Sequence, residues 1–326
     1  MRNSIVYATA SYLPDNTVFN AELTQFPETS IPRIAEKTGI LSRRIAPEDM
    51  CTSDLAIKAG LACLEKTQFP ADEIQGIIIS TSSPDRIQPP TATRTQAGLN
   101  APQAFAFDIN SVCSGSTYGI CLADSLIKSG MYDNILFIGA EMYSKILYEK
   151  DFGTLPYFGD GAGAVLFRLG NGDGKGVLHS CLGTDGHLCE TVGVFGGGTM
   201  IPFDKMPTPR TACLKMNGRG VKEFAMKRGP EIVLRLLKET ATSVDDVDCF
   251  ICHQANINII NAVAEMLDAP REKFYINLDR YGNTASASVL IALDEAISCN
   301  MIREGSQVVT VAFGGGLSYG ANLIRF

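Results

Sequence analysis

The run Asp-Glu-Ile-Gln-Gly-Ile-Ile-Ile at 72–79 is echoed at 245–252 by Asp-Asp-Val-Asp-Cys-Phe-Ile-Cys, 173 positions later. A second run, Asn-Ile-Leu-Phe-Ile-Gly at 134–139, is echoed at the same offset of 173 by Gln-Val-Val-Thr-Val-Ala at 307–312. Apolar runs are common, and coincidence is the rival explanation. A shared offset otherwise restricts the chain to two copies of one unit. Strand-like apolar runs alternate with helical stretches along most of the length, which predicts α/β layers. The Gly/Asp-rich turn from Gly170 to Gly176 suits a connection, so the boundary is expected near residues 168–176, with halves 1–172 and 173–326. Asn110 then falls opposite Asn283, and loops at matching strand ends of the two halves converge to assemble a site.

Composition narrows the class. Of 326 residues, 45% are apolar and 19% charged, so no part reads as disordered and a large core is available. A net charge of −7 gives no global attraction for nucleic acid. No apolar run approaches the roughly 18 residues of a membrane span, and Met1 to Ala8 has no apolar signal-peptide core. The ten cysteines are scattered, several in apolar runs, as expected for reduced thiols in a cytoplasmic protein.

Four segments can carry chemistry. Cys113 lies in D-I-N-S-V-C-S-G-S-T-Y-G, between an apolar run (Ala104 to Phe107) and the helical spacing of Tyr118, Leu122, Leu126 and Ile127. A thiol at a helix N-terminus is biased toward thiolate, and Ser114, Gly115 and Ser116 leave room for an acyl group; buried packing is the bland alternative. His253 ends the apolar run Cys249 to Cys252, at the strand end where α/β folds place catalytic groups; the alternative is a satisfied core histidine. The other histidines are His179 and His187. A metal site of Cys249, Cys252 and His253 is not expected, because strand residues three apart face opposite sides and no second ligand pair stands at zinc-finger spacing; no metal is expected elsewhere. Asn283, in R-Y-G-N-T-A-S-A-S-V, starts another strand-to-helix junction, where a plain N-cap is the competing reading. Gly314, Gly315 and Gly316 follow a strand and suit a backbone that offers N–H groups at close range. No G-K-[ST] follows, which excludes a phosphate loop.

At these residues the chain resembles the β-ketoacyl-acyl-carrier-protein synthase III family of the thiolase superfamily. The resemblance spans T-G-I-x-x-R at 38–43, the Cys113 segment, F-G-D-G-A-G-A at 158–164, H-Q-A-N at 253–256, G-N-T-x-x-A-S at 282–288 and A-F-G-G-G with the terminal S-Y-G-A-N-L-I-R-F. It implies a duplicated five-layer αβαβα fold of the thiolase type and a homodimer. It implies that Cys113 takes an acyl group from acyl-CoA, and that His253 and Asn283 stabilise the enolate made as a malonyl thioester decarboxylates, with acyl carrier protein the expected carrier and CoA the alternative. The N–H groups of Cys113 and Gly315 match the oxyanion hole. CoA enters as a thioester substrate, and no cofactor is implied.

The chain also departs from the family. There is no Trp; Arg33 and Phe152 stand at the two positions that usually flank the CoA adenine. Asn258 replaces the arginine that follows H-Q-A-N, although Arg219, Lys222, Lys227 and Arg228 cluster nearby as a second candidate patch for acyl carrier protein, or simply a solvated face. Ser116 replaces a bulky aromatic, and Pro84 to Gln88 stand near the acyl-pocket segment, often contributed by a partner subunit. Phe158 and Asn256 complete the expected substrate contacts, and Arg86 is placed against a carboxylate-bearing primer. These departures admit polar, diacid, aromatic or longer primers besides acetyl, in fatty-acid or specialised synthesis. The rival chemistry passes the acyl group to oxygen, nitrogen or water with His253 as base; a non-catalytic scaffold is the third reading.

Overall fold

The protein is described from a computed structural model covering residues 2–326. The first sheet contains β1 (Ser4–Tyr12), β2 (Gly76–Ser80), β3 (Phe105–Ile109), β4 (Asn134–Glu141) and β5 (Gly161–Leu169), in the order β1-β5-β4-β2-β3. Strands β2, β3 and β4 run parallel; β5 is antiparallel to both β4 and β1. The second sheet contains β6 (Gly176–Thr184), β7 (Cys249–Cys252), β8 (Gln307–Gly314) and β9 (Ser318–Arg325), in the order β7-β8-β9-β6. Only β7 and β8 are parallel there. Order and direction therefore repeat: β7 matches β2, β8 matches β4, and both pairs start 173 positions apart. The counterpart of β3 is reduced to a parallel bridge between Phe250 and Phe274, with the Tyr275 N–H donating to the Phe250 carbonyl at 3.2 Å.

Helices fill three layers around these sheets. Helices α1 (Thr52–Thr67) and α2 (Thr91–Gly98) cover the outer face of the first sheet. Between the sheets lie α3 (Gly115–Lys128) and, near the C-terminus, Ser288–Ser298; α4 (Gly218–Glu239) and α5 (Ile257–Met266) cover the second sheet, so the Ser288–Ser298 helix is α6. The result is the αβαβα stack. Because both faces of β4 are covered, all eight of its residues are buried and its sequence is a near-continuous apolar run. Helix α3 points Ile120, Ala123 and Ile127 into the central layer, the 3.6-residue pattern of a buried stripe. Helix α6 lies directly on β5 because Gly163 has no side chain: a Cβ there would be 2.6 Å from the Leu290 Cβ and 2.8 Å from the Ile291 nitrogen. Among the described residues no helix is long and apolar enough to cross a membrane.

Candidate active site

The turn that carries Cys113 leaves β3, tightens into a 3-10 turn over Val112–Ser114, and enters α3 at Gly115. Val112 is held at φ 47°, a left-handed conformation that a β-branched side chain resists; such strain is usually maintained by the surrounding structure. The side chain of Asn110 accepts the Val112 N–H at 3.2 Å and stiffens this turn. The second half repeats the arrangement 173 positions on. Asn283 accepts the Ala285 N–H at 2.8 Å, Ala285 has φ 45°, and the 3-10 turn Ala285–Ala287 leads into α6.

Cys113, His253, Asn283 and Gly315 all line one cavity of about 700 Å³. Phe158 and Asn256 line it too. The Asn283 backbone is clamped to the segment before β5: its N–H donates to the Tyr157 carbonyl at 2.8 Å, and its carbonyl accepts from the Gly159 N–H at 3.1 Å. With Oδ1 occupied by Ala285, the Asn283 amide NH₂ is the group left to face the cavity. Gly314 brings the glycine loop against Cys113, since a Cβ there would lie 2.6 Å from the Cys113 nitrogen and 2.8 Å from the Ser114 nitrogen.

His253 is 2% exposed at the end of β7. Its N–H donates to the Val311 carbonyl at 2.8 Å, and its ring meets Phe313 edge-on at 5.6 Å. Its Nδ1 lies 2.7 Å from the Ser288 hydroxyl, at the first turn of α6. That oxygen accepts the Gln254 N–H at 3.3 Å, and Nδ1 is the one acceptor in reach of its proton among the described residues, so the proton is assigned to the Ser288–Nδ1 bond. The imidazole proton then sits on Nε2 as a donor. Burial pushes the His253 pKa down to about 3, which keeps the ring neutral.

The expected bias toward thiolate is corrected by the environment of Cys113. Burial first, and the Glu141 carboxylate second, lift the thiol above its ordinary range. Cys113 is thus held as a thiol in the same cavity as a neutral imidazole. Glu141, wholly buried at the end of β4, accepts from the Ser82 and Ser83 amides and from the hydroxyls of Ser82 (3.0 Å), Ser83 (2.6 Å) and Ser286 (2.7 Å). It therefore joins the loop after β2 to the loop of Asn283. Gly139 permits this junction, because a Cβ there would be 2.6 Å from the Ser286 carbonyl oxygen.

The wall beside Cys113 is apolar, made by Tyr143, Phe158, Leu214, Val112, Val192 and Met216. Tyr143 stacks on Phe158 at 4.7 Å, and its hydroxyl pairs with Ser82 at 2.8 Å. Exposed cations occupy the other part of the lining: Lys37, Arg219 and Lys222, but not Lys227 or Arg228. Asn256 caps α5 by accepting the Asn258 N–H at 2.9 Å, and both side-chain amides donate to the Lys37 carbonyl, at 3.0 and 2.8 Å. Four expected contacts stand outside this lining. Phe152 packs edge-on against Phe26 at 5.1 Å; Arg33 is exposed one residue into a short helix, Pro32–Thr38. Ser116 is fully buried with its hydroxyl unpartnered, and Arg86 lies on an exposed loop. Sequence reasoning missed Ser288, although it closes the G-N-T-x-x-A-S motif, and it missed Glu141 and Tyr143, which follow an apolar strand without a distinguishing pattern.

Comparison with known proteins agrees with this geometry. Residues 107–186 match the family model for 3-oxoacyl-[acyl-carrier-protein] synthase III, and residues 237–326 match the model for its C-terminal part. The chain is 40% identical to the β-ketoacyl-[acyl-carrier-protein] synthase III of Caldanaerobacter subterraneus subsp. tengcongensis, over 98% of this chain and 97% of the relative. It is 37% identical to that of Clostridium acetobutylicum, over 99% of each. The crystal structure of 3-oxoacyl-[acyl-carrier-protein] synthase III from Aquifex aeolicus superposes with a TM-score of 0.91 at 36% identity, covering 99% of this chain and 100% of that one. A duplicated αβαβα stack, a thiol at a strand-to-helix turn and full-length identity at this level lead to one conclusion: the chain belongs to the 3-oxoacyl-[acyl-carrier-protein] synthase III family, a family of condensing acyltransferases.

Proposed function

We propose that the chain loads an acyl group from acyl-CoA onto Cys113 and condenses it with malonyl-acyl carrier protein to a 3-oxoacyl product, in fatty-acid or related synthesis. The observation that carries this reading is the meeting of Cys113, His253, Asn283 and Gly315 in one cavity. In the first step the Cys113 sulfur attacks the thioester carbonyl, the carbon–sulfur bond to CoA breaks, and the thiol proton leaves on CoA. The Cys113 and Gly315 N–H groups are assigned to the tetrahedral oxyanion. In the second, the malonyl carboxylate leaves as carbon dioxide, and the electron pair passes to the thioester oxygen. Two neutral donors, His253 Nε2–H and the Asn283 amide, stabilise that enolate without protonating its carbon. The carbanion then attacks the acyl-Cys113 carbonyl, and the departing thiolate takes up one proton. These steps balance without a cofactor.

Site chemistry also suits the substrates. Exposed Lys37, Arg219 and Lys222 fit the phosphates of CoA or of a carrier protein's prosthetic arm, while the apolar wall at Cys113 fits an uncharged primer. That wall favours acetyl and other aliphatic primers over a diacid. All ten cysteines are unpaired, which fits a reducing compartment such as the cytoplasm. Intact mass after incubation with acetyl-, octanoyl-, glutaryl- and benzoyl-CoA, with Cys113→Ala as control, tests the loading step. Malonyl-acyl carrier protein is then added and carbon dioxide measured. A mass gain confined to the parent chain, discharged with carbon dioxide release, is expected. Loading followed by simple hydrolysis or transfer to an amine would sink the condensation reading.

A further inference from the structure

We propose that His179, Cys181 and Glu239 form a binding site for one divalent cation of the Zn²⁺ class, remote from the catalytic cavity. His179 and Cys181 are two apart on β6, so both point to the same face. That face packs on α4, and Glu239 is the last residue of α4. The Glu239 Oε2 atom lies 2.8 Å from the His179 Nε2 and 3.3 Å from the Cys181 sulfur, and all three atoms fall within 4.8 Å of one another. Among the described residues, no other three potential ligands of this kind meet so closely. None of the three lines the catalytic cavity.

The arrangement has the form of a site whose ion is replaced by protons. Two donors converge on a single oxygen, while the other oxygen, Oε1, is held by the Arg235 Nε at 2.8 Å. Arg235 thus orients the carboxylate and leaves Oε2 toward His179 and Cys181. Tetrahedral coordination with ordinary Zn–N, Zn–O and Zn–S bonds needs N···O and S···O separations of about 3.3 and 3.5 Å. The observed 2.8 and 3.3 Å need only open by a few tenths of an ångström, and the His179 nitrogen and Cys181 sulfur, within 4.8 Å of each other, must come to about 3.6 Å. The imidazole–thiolate–carboxylate set selects Zn²⁺ or Co²⁺ over Mg²⁺ and Ca²⁺, which prefer oxygen ligands. Side chains of His179 and Glu239 are 41% and 39% exposed, so a water can supply the fourth ligand. On binding, Cys181 releases one proton to solvent and His179 moves its ring proton to Nδ1. Neither ligand pattern was legible along the chain, because a pair two apart on a strand meets its third member 58 residues later.

The test uses the full-length protein, stripped with a chelator and titrated anaerobically with Co²⁺. One equivalent is expected to bind, with tetrahedral visible bands and a thiolate-to-cobalt charge-transfer band in the near ultraviolet. Cys113→Ala should leave the titration unchanged, because the catalytic thiol is not a ligand. Cys181→Ser should abolish the charge-transfer band. His179→Gln and Glu239→Gln, at half-exposed positions that spare the fold, should each weaken binding on the order of tenfold or more, the scale typical even for second-shell losses. Circular dichroism of the metal-free variants verifies folding. The proposal is overturned by no band, by a band that follows Cys113, or by unchanged affinity in His179→Gln.

Discussion

His253 illustrates how one residue is set by its neighbours rather than by its own chemistry. Burial keeps the ring neutral with a pKa near 3, and Ser288 directs its proton to Nε2. Replacing His253 or Asn283 by Ala should lower malonyl decarboxylation by about 10²–10³, the usual cost of one oxyanion donor, while acyl loading on Cys113 survives in the intact-mass assay. Ser288→Ala should cost roughly tenfold in decarboxylation, less than the loss of a direct donor, because the ring stays in place and only its tautomer is released. Equal losses in loading and decarboxylation would refute that split. The pH dependence has a definite sign. Unfolded, His253 binds its proton near pH 6.5; folded, only near 3. Between those values the unfolded chain holds the extra proton, so the histidine's contribution favours unfolding as pH falls through that window. His253→Asn should therefore lose less melting temperature than the parent between pH 7 and 4. Decarboxylation should show no His253 ionisation between pH 5 and 8, as a rate profile compared with His253→Asn would reveal.

At the scale of elements, packing between loops decides whether these residues meet. Gly139→Ala puts a Cβ 2.6 Å from the Ser286 carbonyl oxygen and 3.1 Å from the Ala287 Cα, both backbone atoms that cannot rotate away. Such overpacking should cost about 1–3 kcal/mol in urea denaturation, with decarboxylation falling more than acyl loading because the Asn283 loop is displaced. Glu141→Gln exchanges an acceptor of several donors for a group with its own donors. Its removal of charge beside Cys113 should speed iodoacetamide alkylation of that thiol while decarboxylation falls; slower alkylation would contradict the assigned coupling. The repeat was legible because β2, β4, β7 and β8 are apolar runs whose spacing survives in the sequence. Cys113, His253 and Asn283, which line one cavity, could be singled out because each ends or follows such a run in a motif. Ser288 and Glu141 were not, because their work is done by contacts spanning 35 and 145 residues. Phe152, expected beside the CoA adenine, packs edge-on against Phe26 and stands outside the cavity lining; an aromatic side chain does not announce which neighbour it will meet.

For the whole molecule, β3 leaves one side of the first sheet without a partner strand among the described residues, and all five of its residues are only half-buried. An unpaired edge of this kind invites pairing with an identical strand about a twofold axis. We therefore expect light scattering to give twice the 35.0 kDa chain mass; a monomer at micromolar concentration would refute it. The duplication has a further consequence. Position by position, at the offset of 173, Cys113 corresponds to Ser286, Gly314 to Glu141, and His253 to Ser80. In one copy of the crevice a thiol meets a bare glycine; in the other a hydroxyl meets a carboxylate that fills the space and ties the loops together. One elbow of the duplicated crevice is thus tied down by a buried carboxylate and packs as a brace against its thiol-bearing twin.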